Sequence, residues 1–320
     1  MRGLVIGGGG PIGRAVTECL RAQSQRAFWT SRQAPTEAGQ LQANRSRPDE
    51  IEQIVRTHGI DTVIDMTAYS LATTEPLLSR LGGQAIRYVL ISSSDVYRNY
   101  GLLHRIEAGE PAHHAVDEAS ALRSSRYPYR SAPPRDADDP ERWMDDYDKI
   151  PIEDAVQNLA CDWTILRLPM VYGPGDRQRR FRWAIQPMLA GAEVLHAPRA
   201  WLEWATTYGF IDNVAGSIVH AAGHPDAARS IFNVADAPLL KHRQWLELFG
   251  SVTGWKGRVE ASDMPTPLAR ATGGLDLNVP FRVSADRLLR GLAYSPAVDL
   301  QTAASRTVAD EMAQIAIKSR

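Results

Sequence analysis

Three glycines near the start of the chain have a spacing that suits phosphate binding. Gly7, Gly10 and Gly13 follow the apolar run 4–6 and precede apolar residues at helical spacing. A glycine turn between a strand and a helix lets the backbone approach a pyrophosphate, and the first amides of the helix then face the anion. The sequence therefore predicts a dinucleotide-binding loop.

The end of the second predicted strand indicates which dinucleotide binds there. The strand 27–30 ends at Ser31 and Arg32, and no acidic residue stands at this point. An acidic side chain at this place would bind the ribose 2′-hydroxyl of NAD, whereas an arginine pairs with the 2′-phosphate of NADP. We therefore expect NADP, with NAD as the less favoured alternative.

A sheet must bring these residues together. Strand-like apolar runs alternate with helix-like amphipathic runs, and no tight hairpin signal interrupts them. This alternation is typical of an α/β fold with a Rossmann-type, doubly wound parallel sheet that helices cover on both faces. Ligands bind at the carboxyl ends of such strands, so the serines 92–94, at the end of the fifth strand, are expected beside the glycine loop.

The predicted organisation has two regions. Residues 1–168 plus about 203–236 form the dinucleotide-binding domain, and residues 169–202 plus 237–320 form a smaller C-terminal substrate-binding region. Residues 98–146 break the strand–helix alternation, and we expect this segment, the excursion, to cover the mouth of the active site. Its histidines lack a cluster of cysteines or carboxylates to complete a metal site, so no metal is predicted.

Composition argues against several classes of protein. The 320 residues include 36 basic and 37 acidic ones, for a net charge of -1, which gives no reason to expect nucleic acid or membrane as partners. Cys19 and Cys161 lie in apolar patterns typical of free thiols in a reducing compartment. The first strand starts too early for a signal peptide and no apolar run reaches about 20 residues, so we expect a cytoplasmic protein.

Six separated motifs occur in a fixed order along the chain. They are the glycine spacing 7/10/13 and the segments 92–97, 167–176, 208–215, 231–235 and 292–296. Together they resemble the extended short-chain dehydrogenase/reductases, also called the NAD-dependent epimerase/dehydratase family. The resemblance implies a nicotinamide cofactor and hydride transfer at a hydroxyl or carbonyl carbon of a small-molecule substrate.

The resemblance also implies a catalytic serine, a tyrosine that acts as acid or base, and a lysine in the spacing YxxxK. The lysine lowers the tyrosine pKa and holds the nicotinamide ribose. Matched by distance to the family motif, the serine is Ser93, with Ser94 as the fallback, and the best tyrosine is Tyr147. Pro151 occupies the usual lysine position, and the nearest lysine is Lys149. Lys149 can assist Tyr147 only if the segment is not yet helical, which Pro151 permits as a first-turn residue.

A second departure from the family concerns the substrate. Met170 stands where members that act on nucleotide sugars usually carry an asparagine, and a thioether cannot replace the hydrogen bonds of an amide. The predicted catalytic residues are Ser93, Tyr147 and Lys149. The residues expected to bind the cofactor are Gly7, Gly10, Pro11, Ile12, Gly13, Ser31, Arg32, Asn44, Thr67, Ala68, Tyr69 and Pro169. The residues expected to bind the substrate are Ser94, Tyr127, Tyr129, Arg130, Met170 and Tyr172.

Three alternatives stay open. The first is a nucleotide-sugar epimerase or dehydratase that recycles its cofactor, and the second is a non-catalytic NADP-binding sensor or scaffold. The third is a nucleic-acid-associated member of the same superfamily, against which the near-neutral charge argues. The resemblance also implies a homodimer, formed here through the helix faces near 152–159 and 181–189.

Overall fold

A seven-stranded parallel sheet forms the centre of the computed structural model, which describes residues 1–262 and 274–318. Its strands are β1 (Arg2–Ile6), β2 (Arg26–Ser31), β3 (Gln40–Gln42), β4 (Thr62–Asp65), β5 (Arg87–Ser93), β6 (Asp162–Leu168) and β10 (Ser230–Asn233). The strand order is β10-β6-β5-β4-β1-β2-β3, and every neighbouring pair is parallel. The predicted Rossmann-type, doubly wound parallel sheet is therefore confirmed.

Helices cover both faces of this sheet, as its apolar strands require. One face carries α1 (Pro11–Ala22) and α8 (Ile211–Gly223), and the other carries α2 (Pro48–His58), α3 (Leu71–Leu81) and α5 (Ile150–Gln157). Successive side chains of β1 alternate between the faces. Val5 packs in the core beneath α1, whereas Leu4 and Ile6 pack in the core on the opposite side.

The strand order reverses between β1 and β4, and this reversal positions the candidate site. Val5 pairs in register with Trp29 of β2 and Ile64 of β4. Gly7 follows the carboxyl end of β1 directly, and Thr67 follows the end of β4. A crevice opens where the crossovers leave in opposite directions, which is the place where doubly wound sheets bind ligands.

The C-terminal region is built around an aromatic core. It contains the parallel pairs β7 (Met170–Tyr172) with β9 (Tyr208–Phe210) and β8 (Val194–Ala197) with β11 (Arg258–Ala261). Its helices are α6 (Arg182–Leu189), α7 (Arg199–Glu203), α9 (His242–Thr253) and α10 (Leu300–Lys318). Phe181, Tyr208 and Trp245 pack against one another in its core. The sequence did not predict these small sheets, because strands of three or four residues are too short to show a period.

The excursion folds back onto the sheet. It contains α4 (Arg98–Leu103) and a 3₁₀ turn (Arg142–Asp146). Leu102 and Val116 share a core cluster with Phe281 and Val283, which lie much later in the chain. Val116 also forms an isolated parallel bridge with Val283. The excursion therefore connects the sheet to the C-terminal region and covers the carboxyl ends of the strands.

The helix faces expected to pair two copies of the chain are buried inside it. Ile152 and Val156 of α5 have no exposed surface, because α5 packs against α3. Phe181 and Ile185 are likewise buried in the aromatic core. These apolar side chains are therefore not available for a dimer interface, whereas Asp154, Gln157 and Gln186 of the same helices are exposed, and the homodimer stays a prediction.

Three further observations concern membrane-spanning helices, metal ligands and cysteines. Among the described residues, no helix is long and apolar enough to cross a membrane. The same residues contain no group of three or more His, Cys, Asp or Glu side chains that could hold a metal ion. Cys161 is buried and Cys19 half-buried, and both are free thiols.

Candidate active site

The glycine loop has the geometry that its spacing predicted. Gly7 has a φ of +83°, and a Cβ there would lie 2.4 Å from Thr67 Cγ2. A Cβ on Gly13 would lie 2.6 Å from the Gly7 carbonyl oxygen, so a side chain would force α1 away from β1. Gly10 stands directly before Pro11, the first residue of α1. The amides at the start of α1 and the lack of side chains in this loop fit a dinucleotide pyrophosphate.

An exposed arginine side chain lies at the end of β2. Arg32 is exposed there, and within the described ranges its guanidinium forms no ion pair. The Ser31 hydroxyl accepts a hydrogen bond from the Gln33 amide at 3.0 Å, and the Asn44 side-chain oxygen accepts one from the Ser46 amide at 3.0 Å. Ser31 and Asn44 thus shape local turns, while Arg32 remains free for a phosphate.

The residues after β4 form the floor of the crevice. The Thr67 amide donates to Asp65 at 2.9 Å, which fixes the turn beneath the glycine loop. Tyr69 stacks against Trp143 of the excursion, with ring centroids 4.7 Å apart. Pro169, beyond the end of β6, packs against Gly209, where a Cβ would lie 3.1 Å from the proline ring.

Tyr147 and Lys149 both precede the helix that would have separated them. α5 begins at Ile150, with Pro151 as its second residue, so the helical period does not set the directions of the Tyr147 and Lys149 side chains. This agrees with the condition that Pro151 set in the sequence. The Lys149 ammonium consequently lies near Tyr147, 5.6 Å from the centroid of its ring.

Lys149 is anchored to the backbone of the sheet. Its ammonium donates hydrogen bonds to the carbonyl oxygens of Ala68 at 2.6 Å and Ile91 at 2.9 Å. Burial lowers the pKa of Lys149 to about 8, against the attraction of Asp95 and Asp65. Because an ammonium has three N–H donors, one remains for a ligand in the crevice.

Tyr147 is held by a chain of hydroxyl groups around one carboxylate. Its hydroxyl donates to Asp95 Oδ2 at 2.9 Å, and the Tyr129 hydroxyl donates to the same oxygen at 2.9 Å. The Tyr100 hydroxyl donates to the Tyr129 oxygen, also at 2.9 Å. Burial first, and then the Asp95 carboxylate, raise the pKa of Tyr147 well above its ordinary value, while a hydrogen bond with Ser93 acts in the opposite direction.

The expected lowering of the Tyr147 pKa by Lys149 is therefore not found. The ammonium faces the Tyr147 ring, and the hydroxyl turns towards Asp95. A carboxylate that accepts a hydrogen bond from the phenol stabilises the neutral phenol and disfavours the phenolate. Tyr147 is thus held as a neutral phenol.

Arg123 of the excursion fixes the backbone around the tyrosine and the lysine. Its buried guanidinium donates to the Asp95 carbonyl oxygen at 2.7 Å and to Asp148 Oδ1 at 2.9 Å. Asp148 lies in the chain between Tyr147 and Lys149. The excursion thus orients the segment that carries both side chains, besides covering the crevice.

The remaining residues expected to bind the substrate occupy different environments. Ser94 is buried in the turn after β5, and Met170 is partly buried at the start of β7. Tyr127 is exposed, and the Arg130 guanidinium stacks over its ring at 3.8 Å from the centroid. Tyr172 is 2% exposed and lies in the aromatic core, and its role in substrate binding stays a prediction.

Three residues of the site were missed in the sequence interpretation. Asp95 follows Ser94 in a segment that served only as a family landmark, although an acidic residue at the end of a central strand is itself a signal. Tyr100 and Trp143 reach the site only through the folding of the excursion. No spacing in the sequence indicates that either aromatic residue would lie at the site.

Comparisons with known proteins support the architecture. No family model matches the sequence. The chloroplast stem-loop binding protein of 41 kDa b from Arabidopsis thaliana is 23% identical over 195 residues, which are 61% of this chain. The matched part covers 43% of that protein, so this chain spans less than half of its relative's length.

Solved structures match nearly the whole chain. UDP-glucose 4-epimerase from Thermotoga maritima, solved with UDP-glucose, has a TM-score of 0.68 at 17% identity, covering 98% of this chain and 100% of its own. The UDP-glucose 4-epimerase from Thermus thermophilus, in complex with NAD, has a TM-score of 0.67 at 18% identity, covering 98% and 99%. RMD from Pseudomonas aeruginosa, complexed with NADPH, has a TM-score of 0.69 at 16% identity, covering 98% and 100%. The resemblance predicted from the sequence is thus confirmed for the fold: this chain has the Rossmann-type fold of these epimerases.

Proposed function

We propose that this protein is an NAD(P)-dependent oxidoreductase of the epimerase/dehydratase family, the extended short-chain dehydrogenase/reductases. It transfers hydride at a hydroxyl or carbonyl carbon of a small-molecule substrate. The observation that carries this proposal is the convergence of the glycine loop, Lys149 and Tyr147 at the carboxyl ends of neighbouring parallel strands. Proteins of the same fold were solved with NAD and with NADPH, which supports a nicotinamide cofactor.

The proposed roles follow from the donors that each residue has free. The bound nicotinamide would supply or accept the hydride. The third N–H of Lys149 would hold its ribose, and the Tyr147 hydroxyl would exchange a proton with the reacting oxygen. Ser93, at the end of β5, would donate to that same oxygen. Residues 1–168 with 203–236 would bind the cofactor, and residues 169–202 with 237–320 would bind the substrate.

NADP is the proposed form of the cofactor, because Arg32 is exposed and, among the residues described, free of ion pairs where the adenosine ribose would lie. The test is a fluorescence titration of NADPH and NADH against wild type and Arg32→Ala. We expect Arg32→Ala to weaken NADPH binding about tenfold to hundredfold, the worth of a charge-assisted hydrogen bond, and to leave NADH unchanged.

Arg290→Ala, which removes an exposed arginine from another part of the surface, is the matched control. Equal losses for NADPH and NADH in Arg32→Ala would contradict the phosphate role of Arg32. If wild type bound neither nucleotide, the enzyme proposal itself would be abandoned. If wild type bound NADPH but turned over none of a broad panel of alcohols and carbonyls, the non-catalytic sensor would be favoured instead.

The substrate is proposed only by class, as a small molecule with a hydroxyl or carbonyl group. A nucleotide sugar is the principal alternative, because one structure of the same fold was solved with UDP-glucose. Met170 offers no amide to such a substrate, so UDP-glucose should bind here more weakly than cofactor does, as calorimetry can measure. We further propose a cytoplasmic protein, and a homodimer would need faces other than those already buried, which light scattering can test.

Stem-loop binding is a second candidate function. The observation that favours it is the sequence similarity to the chloroplast stem-loop binding protein over 61% of this chain. Two arginines of the segment 177–182 are engaged in ion pairs, Arg179 with Glu311 and Arg180 with Asp176, which leaves less free positive charge for a phosphate backbone. A gel-shift titration with a hairpin RNA at two salt concentrations would decide, since specific binding must survive the higher one.

A further inference from the structure

We propose that Asp95 is a positioning residue that takes up the Tyr147 proton, so that tyrosine and carboxylate work as one proton-transfer pair. The inference deepens the proposed function and rests on it. It assigns to Asp95 the task of accepting the Tyr147 proton, whereas the family resemblance implied only that a lysine beside the tyrosine lowers the tyrosine pKa and holds the ribose.

The hydrogen bonds around Asp95 indicate the direction in which the Tyr147 proton would move. Tyr147 and Tyr129 both donate to Oδ2, each at 2.9 Å, and no described residue donates to the buried Oδ1. The Tyr147 proton points at Oδ2, so Oδ2 is the oxygen that would receive it, while the unpaired and buried Oδ1 leaves the charged carboxylate without a donor on that side. Asp95 is 3% exposed, so bulk water does not compete for that proton.

The charged and titratable groups around Asp95 come from four parts of the chain. Tyr129 and Tyr147 touch its carboxylate, and Tyr100 follows Tyr129 in the hydrogen-bonded chain. The remaining groups that act on the Asp95 backbone or sense its charge are Arg123, Lys149 and His104. None of these cations lies within ion-pair distance of the Asp95 carboxylate among the described residues, so no salt bridge competes with its hydroxyl donors.

The proton-transfer step is balanced as follows when a substrate hydroxyl is oxidised. The hydroxyl proton passes to the Tyr147 oxygen while the Tyr147 proton passes to Asp95, which becomes a neutral carboxylic acid. The carbon would give up hydride, with its electron pair, to the oxidised nicotinamide that the site is proposed to bind, and would become a carbonyl carbon. Reduction runs the same transfers backwards. At no stage does Tyr147 exist as a free phenolate, which its surroundings would disfavour.

The first test needs neither substrate nor cofactor. Nuclear magnetic resonance of protein labelled with carbon-13 at tyrosine Cζ follows the ionisation of each tyrosine, and the signal lost in Tyr147→Phe assigns Tyr147. We expect Tyr147 of the wild type to stay a phenol beyond pH 10, and to ionise about one pH unit or more lower in Asp95→Asn. Asp95→Glu, which keeps a carboxylate, should restore the wild-type behaviour.

The second test uses turnover. If the pair works together, Asp95→Asn should reduce kcat for oxidation about 10²- to 10⁴-fold at pH 7, and kcat should recover as pH rises. Recovery is expected because the Tyr147 phenolate must then accept the proton itself. Asp145→Asn is the matched control, since Asp145 is also a buried carboxylate of this region but binds Arg135 and Ser131, with no tyrosine hydroxyl among its described partners.

Two results would overturn the inference. One is a wild-type Tyr147 that ionises at or below pH 10, a measurement that does not depend on any variant folding. The other is a loss of kcat in Asp95→Asn that is the same at every pH, which marks a purely structural role. If the resonance shifts are found but wild type turns over no substrate, the proposed function fails while the Asp95–Tyr147 proton pair stands.

Discussion

Lys149 and Tyr147 stand two residues apart, yet different parts of the molecule hold them. Lys149 donates to the carbonyl oxygens of Ala68 and Ile91, backbone groups at the ends of two central strands. Tyr147 donates a hydrogen bond to a side chain, Asp95, which also accepts one from Tyr129 of the excursion. The side of the site proposed to bind the cofactor, called the cofactor side, is therefore fixed by the sheet, and the side proposed to transfer the proton, called the proton side, is fixed by packed side chains.

This difference explains how the site tolerates a shifted lysine. The backbone carbonyls that bind Lys149 exist wherever the sheet exists, whatever the neighbouring sequence. The partners of Tyr147 depend on the excursion, which is joined to the site through Arg123 and Asp148. Loops can vary in length and sequence far more than sheets can, so the proton side is the place where this fold can acquire a different chemistry.

Replacing Tyr147 by phenylalanine should affect the proton side alone. We expect Tyr147→Phe to lower kcat about 10²- to 10⁴-fold, the usual worth of a positioned acid or base, with cofactor affinity retained. Steady-state kinetics and a cofactor titration measure the two quantities. Tyr208→Phe removes a hydroxyl that pairs with His242 in the aromatic core and should change neither, so an equal loss in both variants would refute the assignment.

A methyl group on Gly13 should affect the cofactor side. Its Cβ would lie 2.6 Å from the Gly7 oxygen and 2.8 Å from Gly8 Cα, both backbone atoms that cannot rotate away. We expect Gly13→Ala to cost about 1–3 kcal/mol of unfolding free energy, as overpacking does, and to weaken NADPH binding at least about tenfold. Urea denaturation and titration check this, with Gly223→Ala as the control because a Cβ there meets nothing within 4 Å. Unchanged NADPH affinity in Gly13→Ala would show that the nucleotide binds elsewhere.

The buried ammonium of Lys149 should give stability a pH dependence. Burial lowers its pKa to about 8, so between pH 8 and 10 the folded chain gives up a proton that the unfolded chain keeps. The contribution of Lys149 to stability should therefore rise with pH in this window, by on the order of 2 kcal/mol. Cys19 and Cys161 oppose it within the window, because burial raises their pKa, and tyrosine ionisation in the unfolded chain opposes it near pH 10. Lys149→Met should abolish the rise, whereas Lys241→Met, at an exposed ion pair, should keep it. A parallel rise in Lys149→Met would assign the effect to another group.

The regular parts of the fold could be predicted because their signals are local. The run 4–6 and the glycines after it determine β1, the turn and the start of α1 within a dozen residues. Pro151 likewise indicated that Tyr147 and Lys149 would precede the helix, and α5 does begin at Ile150. In each case neighbouring residues restrict the backbone directly.

The contacts of the site could not be predicted in the same way, because distant segments meet there. Tyr100 and Tyr129 lie 29 positions apart in the chain, yet their hydroxyls form a hydrogen bond. The burial of Tyr172 in the aromatic core could not be predicted, because a family motif gives the position of a residue but not the direction of its side chain on a three-residue strand. The hydrogen bond that the Tyr147 hydroxyl donates to Asp95 was missed for a similar reason, since only the packed excursion brings Asp95 and the tyrosines together.

The division between the two sides is tested most directly by measuring the NADPH affinity of Lys149→Met and Tyr147→Phe under identical conditions. If the sheet-bound lysine holds the cofactor, Lys149→Met should weaken binding about tenfold or more, the worth of a lost hydrogen bond from a charged group. Tyr147→Phe should bind within about twofold of wild type. Equal losses in both variants, or a loss in Tyr147→Phe alone, would contradict the assignment of Lys149 to the cofactor and Tyr147 to the proton.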